Sequence, residues 1–228
     1  MVKSAVLDDE DDGRIKMNDA AHTGEQAQAL HHKRKELLKV ARRHFLAEGY
    51  AAARMEAIAR DASVSTATLY AFFPSKTDLF KHVIDDASDD FARQIEGVRV
   101  QGGDVRGQLI AFAETYARFM GDPFVRAVFR LVMAERKRFQ PTANRFFERG
   151  RAEIGGVLMR VIVQHVEAGA LEVERPSWAA GQLMGMIEHP VFFVPMVTGD
   201  DVQTRRDAAC IATQAVDTFL ARYGTGQG

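Results

Sequence analysis

The sequence predicts an all-α protein of about nine helices. A three-helix N-terminal unit contains a helix-turn-helix, and a larger helical body follows it. Three observations carry this expectation. From Leu30 onward, apolar residues recur at spacings of three and four, with no convincing alternating run. Residues suited to helix ends, such as Ser65, Pro74, Pro123, Gly169 and Gly224, flank those periodic stretches. Basic charge gathers in one short segment of a chain whose total is nearly neutral.

The elements follow in order. Leu37, Val40, Ala41, Phe45 and Leu46 mark a first helix from Leu30, closed by Gly49. Met55, Ile58, Ala59 and Ala62 form one apolar stripe on a second helix. Ser65 caps a third, Thr66 to Phe72, which Pro74 ends. Ser75 and Asp78 start a fourth, Lys76 to about Glu96. After a loop over Val98 to Asp104, a fifth helix carries Leu109, Phe112, Ala113, Tyr116 and Met120. Asp122-Pro123 opens the sixth. Pro141 opens a long seventh that runs to Gly169. The eighth spans Trp178 to about His189, where Pro190 interrupts, and the ninth about Thr204 to Tyr223.

With 228 residues, 46% of them apolar and 27% charged, the chain can bury a sizeable core. No run of 18 apolar residues exists, so neither a transmembrane helix nor a membrane partner is expected. The acidic start does not read as a secretory signal. One cysteine, Cys210, rules out an internal disulfide and fits a cytoplasmic location.

Residues 1–29 hold 3 basic and 7 acidic residues, a net of −4. Residues 30–84 hold 10 and 5, a net of +5, and residues 85–228 hold 17 and 19, a net of −2, which restores the total of −1. Three units are expected: an acidic, disordered tail over 1–29, the helix-turn-helix unit over 30–84, and the body over 85–228. The basic middle unit suggests a polyanion partner.

Residues 55–72 read as helix, three-residue turn, helix. In that unit the second helix enters the DNA major groove. Ser65, Thr66, Ala67 and Thr68 are small enough to let the backbone approach base edges, and Thr hydroxyls and methyls can read them. The order Gly49-Tyr50, Met55-Glu56-Ala57-Ile58-Ala59, Val64-Ser65, Thr68-Leu69-Tyr70, Phe73-Pro74-Ser75-Lys76, Leu79-Phe80 resembles the N-terminal domain of the TetR family of bacterial transcription regulators. The resemblance covers about residues 33–84. It implies a homodimer that binds a palindromic double-stranded DNA operator, with a C-terminal domain for ligand binding and dimerisation. It also implies phosphate contacts from Tyr70 and Lys76. The usual hydroxyl before the second helix is replaced by Ala53-Arg54, so Arg54 is expected to supply a charged contact instead. The usual turn glycine is Ser63. The recognition helix carries no basic residue, so readout falls to hydroxyls, methyls and DNA shape, with Arg42 or Arg43 as further phosphate anchors.

The body is rich in aromatic and Met side chains, which suggests a largely apolar pocket between helices four to eight for a hydrophobic small-molecule inducer. The candidate lining is Phe112, Tyr116, Phe129, Met133, His165, Trp178, Met184, Glu188 and His189. The stretch Phe129 to Phe147 resembles AcrR-like and AefR-like members, which implies control of efflux or envelope genes. Helices eight and nine are the implied dimer surface. No enzyme signature, paired-cysteine metal site or cofactor motif is found, so no catalytic, metal or cofactor site is expected. The leading expectation is a ligand-responsive repressor. The alternative is a ligand-independent DNA-binding or adaptor protein with a filled core.

Overall fold

The structure, a computed structural model, describes residues 11–96, 103–200 and 206–226. These residues form helices α1 (Asp11–Ala52), α2 (Met55–Asp61), α3 (Thr66–Phe72), α4 (Lys76–Glu96), α5 (Val105–Met120), α6 (Pro123–Glu135), α7 (Gln140–Gly150), α8 (Gly156–Glu167), α9 (Pro176–Glu188), α10 (Val194–Thr198) and α11 (Ala208–Tyr223). A π-helical turn, Arg151–Gly155, joins α7 to α8, and another, His189–Phe193, joins α9 to α10. Counted as continuous helices, the described residues make nine, and they contain no strand.

Ser65 and Asp122 cap the helices they were expected to start, and Asp104 and Asp207 add two caps of the same kind. Asp104, Asp122 and Asp207 accept from the free backbone N–H groups of Gly107, Phe124 and Cys210 at 2.7 Å each. Gly49, at φ 75, breaks the helical path near the end of α1. Four expectations need correction. The tail over 1–29 is not wholly outside helix, because α1 begins at Asp11; residues 1–10 lie outside the described residues. Residues 26–33 are all exposed, so helix propensity from residues such as Gln26, Ala27, Gln28 and Ala29 carries that stretch rather than packing. The long seventh helix is split by a π turn. Pro190 does not stop its helix, because a π turn accommodates the missing N–H. The last helix starts at Ala208 rather than Thr204, and residues 201–205 lie outside the described residues. So does most of the expected loop at 98–104.

The core runs unbroken from the N-terminal bundle into the body. Phe45, Ile58, Leu69, Phe73 and Phe80 fill the bundle, and Leu109, Phe112, Leu158, Leu183 and Phe219 fill the body. Phe139, between α6 and α7, joins the two. It stacks on Phe80 at 4.5 Å and meets Tyr50 edge-on at 4.8 Å. Carboxylates along α4 are pinned by arginines from other helices. Arg42 of α1 pairs with Asp90 at 2.6 Å and Asp86 at 3.6 Å, and Arg145 and Arg149 of α7 pair with Asp85 and Asp89. Burial, then the Asp90 charge, pushes the Asp86 carboxyl above its ordinary range.

Candidate functional site

The turn between α2 and α3 is built by its hydrogen bonds. Val64 N–H donates to Ala59 O and Ser63 N–H to Arg60 O, both at 3.0 Å, which is a Schellman closure of α2. That closure needs a left-handed residue, and Ser63 supplies it at φ 55 where glycine is usual. Ser65 then caps α3: its Oγ accepts from Thr68 N–H at 3.0 Å and lies 2.8 Å from Thr68 Oγ1. Leu69, fully buried, anchors α3 to the bundle. Ala67 and Tyr70 are exposed, and Thr66 and Thr68 are half-buried.

The expected phosphate anchors divide into free and engaged groups. Arg54 is exposed at the N-cap of α2 and Arg43 is exposed on α1. Lys76 is engaged: its Nζ donates to Ala51 O at 3.0 Å and lies 4.8 Å from the centre of the Tyr50 ring. Burial, then the nearby Arg138 charge, lowers its pKa below the ordinary lysine value. Arg42 is engaged by Asp86, Asp90 and the Phe124 ring. Arg138 was not anticipated. Its guanidinium lies 4.6 Å from the centre of the same Tyr50 ring that Lys76 approaches.

The body contains a cavity of about 630 Å³. Ser88 and Phe91 of α4, Tyr116, Phe119 and Met120 of α5, Phe129 of α6, and Phe146, Phe147 and Arg149 of α7 line it. The wall is completed by the π turn from Arg151 to Gly155, by Met159, by Ser177, Ala180, Met184 and Glu188 of α9, and by Phe192. Tyr116 Oη donates to Glu188 Oε1. Burial, followed by the Glu188 charge and that hydrogen bond, raises the Tyr116 pKa well above the usual phenol range.

Four residues expected in the pocket line it: Tyr116, Phe129, Met184 and Glu188. Five do not. Phe112 is core, stacked on Tyr116 at 5.7 Å. His165 is buried elsewhere, with Nε2 3.1 Å from Gln108 Oε1. Met133 and Trp178 are 60% and 67% exposed. His189 is exposed and stacks on Phe193. The expected position between helices four to eight holds for the cavity, but no α4 residue and no π-turn residue was named for its lining. The Gly150, Gly155 and Gly156 cluster was the available signal for a break there.

Comparison with known proteins adds the family. The family model described as AefR-like transcriptional repressor, C-terminal domain, matches residues 107–225, and the model for bacterial regulatory proteins of the tetR family matches residues 37–83. The chain belongs to the TetR family of bacterial transcriptional regulators. None of the curated proteins compared with it matches. Among solved structures, it is similar to a TetR-family regulator from Mesorhizobium loti at 25% identity, with a TM-score of 0.73, over 85% of this chain and 98% of that one. It is also similar to the flavonoid-responsive regulator FrrA at 26% identity, with a TM-score of 0.64, over 86% and 98%. The FadR regulator of Bacillus subtilis, solved with stearoyl-CoA, shares the fold at 15% identity and a TM-score of 0.62, over 82% and 97%.

TetR-family proteins are regulators rather than enzymes; they bind DNA operators and small ligands and act as dimers. In this member α4 follows α3 after a short link, begins at Lys76, and carries the cavity residues Ser88 and Phe91 in its later turns. No described helix is long and apolar enough to cross a membrane.

Proposed function

We propose that this TetR-family regulator is a ligand-responsive repressor, released from a palindromic operator by a hydrophobic small molecule. The observation that carries the reading is α4, which walls a 630 Å³ cavity with Ser88 and Phe91 and, near its start, sets the His82 ring 5.5 Å from Phe73 at the end of the recognition helix. That volume lies within the range of small-molecule pockets, roughly 300–1,000 Å³, and disfavours a ligand-independent protein with a filled core. Arg54, Ser65, Thr66, Ala67, Thr68, Tyr70 and Lys76 form the proposed DNA surface. Lys76 reaches phosphate by exchanging its Ala51 carbonyl contact for it.

The proposed dimer forms through α9 and α11, where Trp178, Gly181 and Gly185 are exposed. It sets the two recognition helices roughly 34–36 Å apart, one DNA turn. Ligand against Phe91 shifts α4 and spoils that spacing; coupling of about 1–3 kcal/mol lowers operator affinity about 5–150-fold. FrrA, 26% identical and flavonoid-responsive by name, supports small-molecule control. The match to an AefR-like transcriptional repressor domain supports repression as the mode of action, and efflux or envelope genes are the proposed targets.

Anisotropy of labelled DNA from upstream of the protein's own gene, across a salt series, tests the reading. Tight, salt-steep binding that a hydrophobic compound reverses is the expected result. Binding no tighter than to random DNA, there and in a genome-wide fragment selection, overturns it.

A further inference from the structure

We propose that Arg138, on the turn between α6 and α7, is a DNA-backbone contact contributed by the body rather than by the helix-turn-helix unit. The inference rests on reading the chain as an operator-binding regulator, and it concerns which part of the chain holds the DNA.

Arg136, Lys137 and Arg138 are three consecutive cations, and all are exposed. Among the described residues none of them forms an ion pair. The turn that carries them is firmly held. Arg138 N–H and Phe139 N–H both donate to Glu135 O at 3.0 Å, and the buried Phe139 ring stacks on Phe80 of α4. That anchor sets the place of Arg138 on the N-terminal bundle. Its guanidinium lies 4.6 Å from the centre of the Tyr50 ring, and Lys76 Nζ lies 4.8 Å from the same centre.

Two cations gathered on one ring leave positive charge over. Burial, then the Arg138 charge, lowers the Lys76 pKa, and Glu135 and Glu48 only partly offset this. Glu48 is committed to His44 at 2.6 Å. An anion lying against both cations relieves their repulsion. A phosphodiester suits the place, because its oxygens accept from a guanidinium fork and from an ammonium at once. Lys76 belongs to the proposed operator face, so Arg138 extends that face without a break, and DNA is the phosphate source that reaches it. Arg136 and Lys137 add to the same local field. Because α6 and α7 line the cavity with Phe129 and Phe146, a contact from the turn between them ties the cavity wall directly to DNA.

The test is DNA binding by anisotropy across a salt series, using the full chain and its Arg138→Gln and Arg138→Lys variants. The probe is labelled duplex from upstream of the protein's own gene or, if that is not bound, the tightest fragment of a genome-wide selection. In Arg138→Gln the salt slope should fall by about 1 for each protomer bound, with about fivefold weaker binding per lost contact at about 0.15 M salt. Random duplex should weaken alike, since backbone contacts carry no sequence. Arg138→Lys should keep the native slope. An unchanged slope in Arg138→Gln overturns the proposal and leaves an operator-binding regulator standing. Weaker binding without a change of slope also overturns it, because that result assigns Arg138 to packing on Tyr50. Poor folding of a variant lowers the active fraction and not the slope, so the slope decides. Failure of the native chain to prefer any genomic fragment over random DNA removes the operator reading and the proposal with it.

Discussion

Ser65→Ala tests how the recognition helix is held. The α3 helix has seven residues and one fully buried side chain, Leu69, so little besides its cap fixes its first turn. The substitution removes the Oγ that accepts from Thr68 N–H at 3.0 Å. Loss of such a cap costs about 1 kcal/mol. If α3 frays while the bundle stays folded, binding must re-form the turn, and that energy corresponds to about fivefold weaker operator affinity. If the loss spreads over the whole chain, Tm falls by about 2–4 °C for a protein of this size and affinity is little changed. Amide hydrogen exchange separates the two, because fraying speeds exchange at Thr68 and leaves Leu37 and Ile84 protected. Ser65→Asp restores the cap and should restore protection. Unchanged exchange at Thr68 together with unchanged Tm in Ser65→Ala would refute the capping argument.

Ser63→Gly should stabilise the chain by about 0.5–1 kcal/mol, since glycine relieves the left-handed strain at some cost in chain entropy; differential scanning calorimetry reads the rise in Tm. Phe139→Ala, which empties the contact between Phe80 and Tyr50, should cost about 3–5 kcal/mol in urea unfolding. Lys76→Ala should weaken binding to all DNA alike and reduce the salt slope by about 1, and an unchanged slope removes Lys76 from the phosphate contacts. Hydrogen bonds from Arg60 to Asp61, Ser75 to Asp78 and Arg126 to Asp200 hold these three carboxyls below the ordinary value of 3.8. Asp90 also lies below it: burial works the other way, but Arg42 and Arg93 prevail. Depressed carboxyl pKa values stabilise the fold above the unfolded value, and that stability is lost as pH falls through the folded values. Circular dichroism should therefore show the loss beginning near pH 4 and deepening below it.

Helix ends were legible wherever one residue type determines the local geometry. Asp122 before Pro123 could hardly be anything but a helix start, and Ser65 and Gly224 mark boundaries that the structure keeps. The helix-turn-helix was legible because its residues are contiguous in sequence. The cavity was legible only as a space between helices four to eight; its individual lining residues were not, because its wall comes from six helices and two π turns. A π turn shifts the apolar stripe by one position, so a spacing rule carried from α7 into α8 loses its register. Residue type also misled. Trp178 and Met133 have the side chains of a pocket and stand on outward faces. Arg42 has the side chain of a phosphate anchor and is spent on Asp86 and Asp90.

The ring cluster of Tyr50, Phe80 and Phe139 has a thermodynamic consequence. A reader head tethered by a linker would melt separately from its sensor. Here Phe139 of the body is a core residue of the N-terminal bundle, 6% exposed, and the two share one apolar interior. Loosening either part exposes rings that belong to both, so the chain behaves as one cooperative unit rather than two beads on a string. Any signal crossing that boundary must travel as displacement of packed helices rather than as swivelling about a flexible joint.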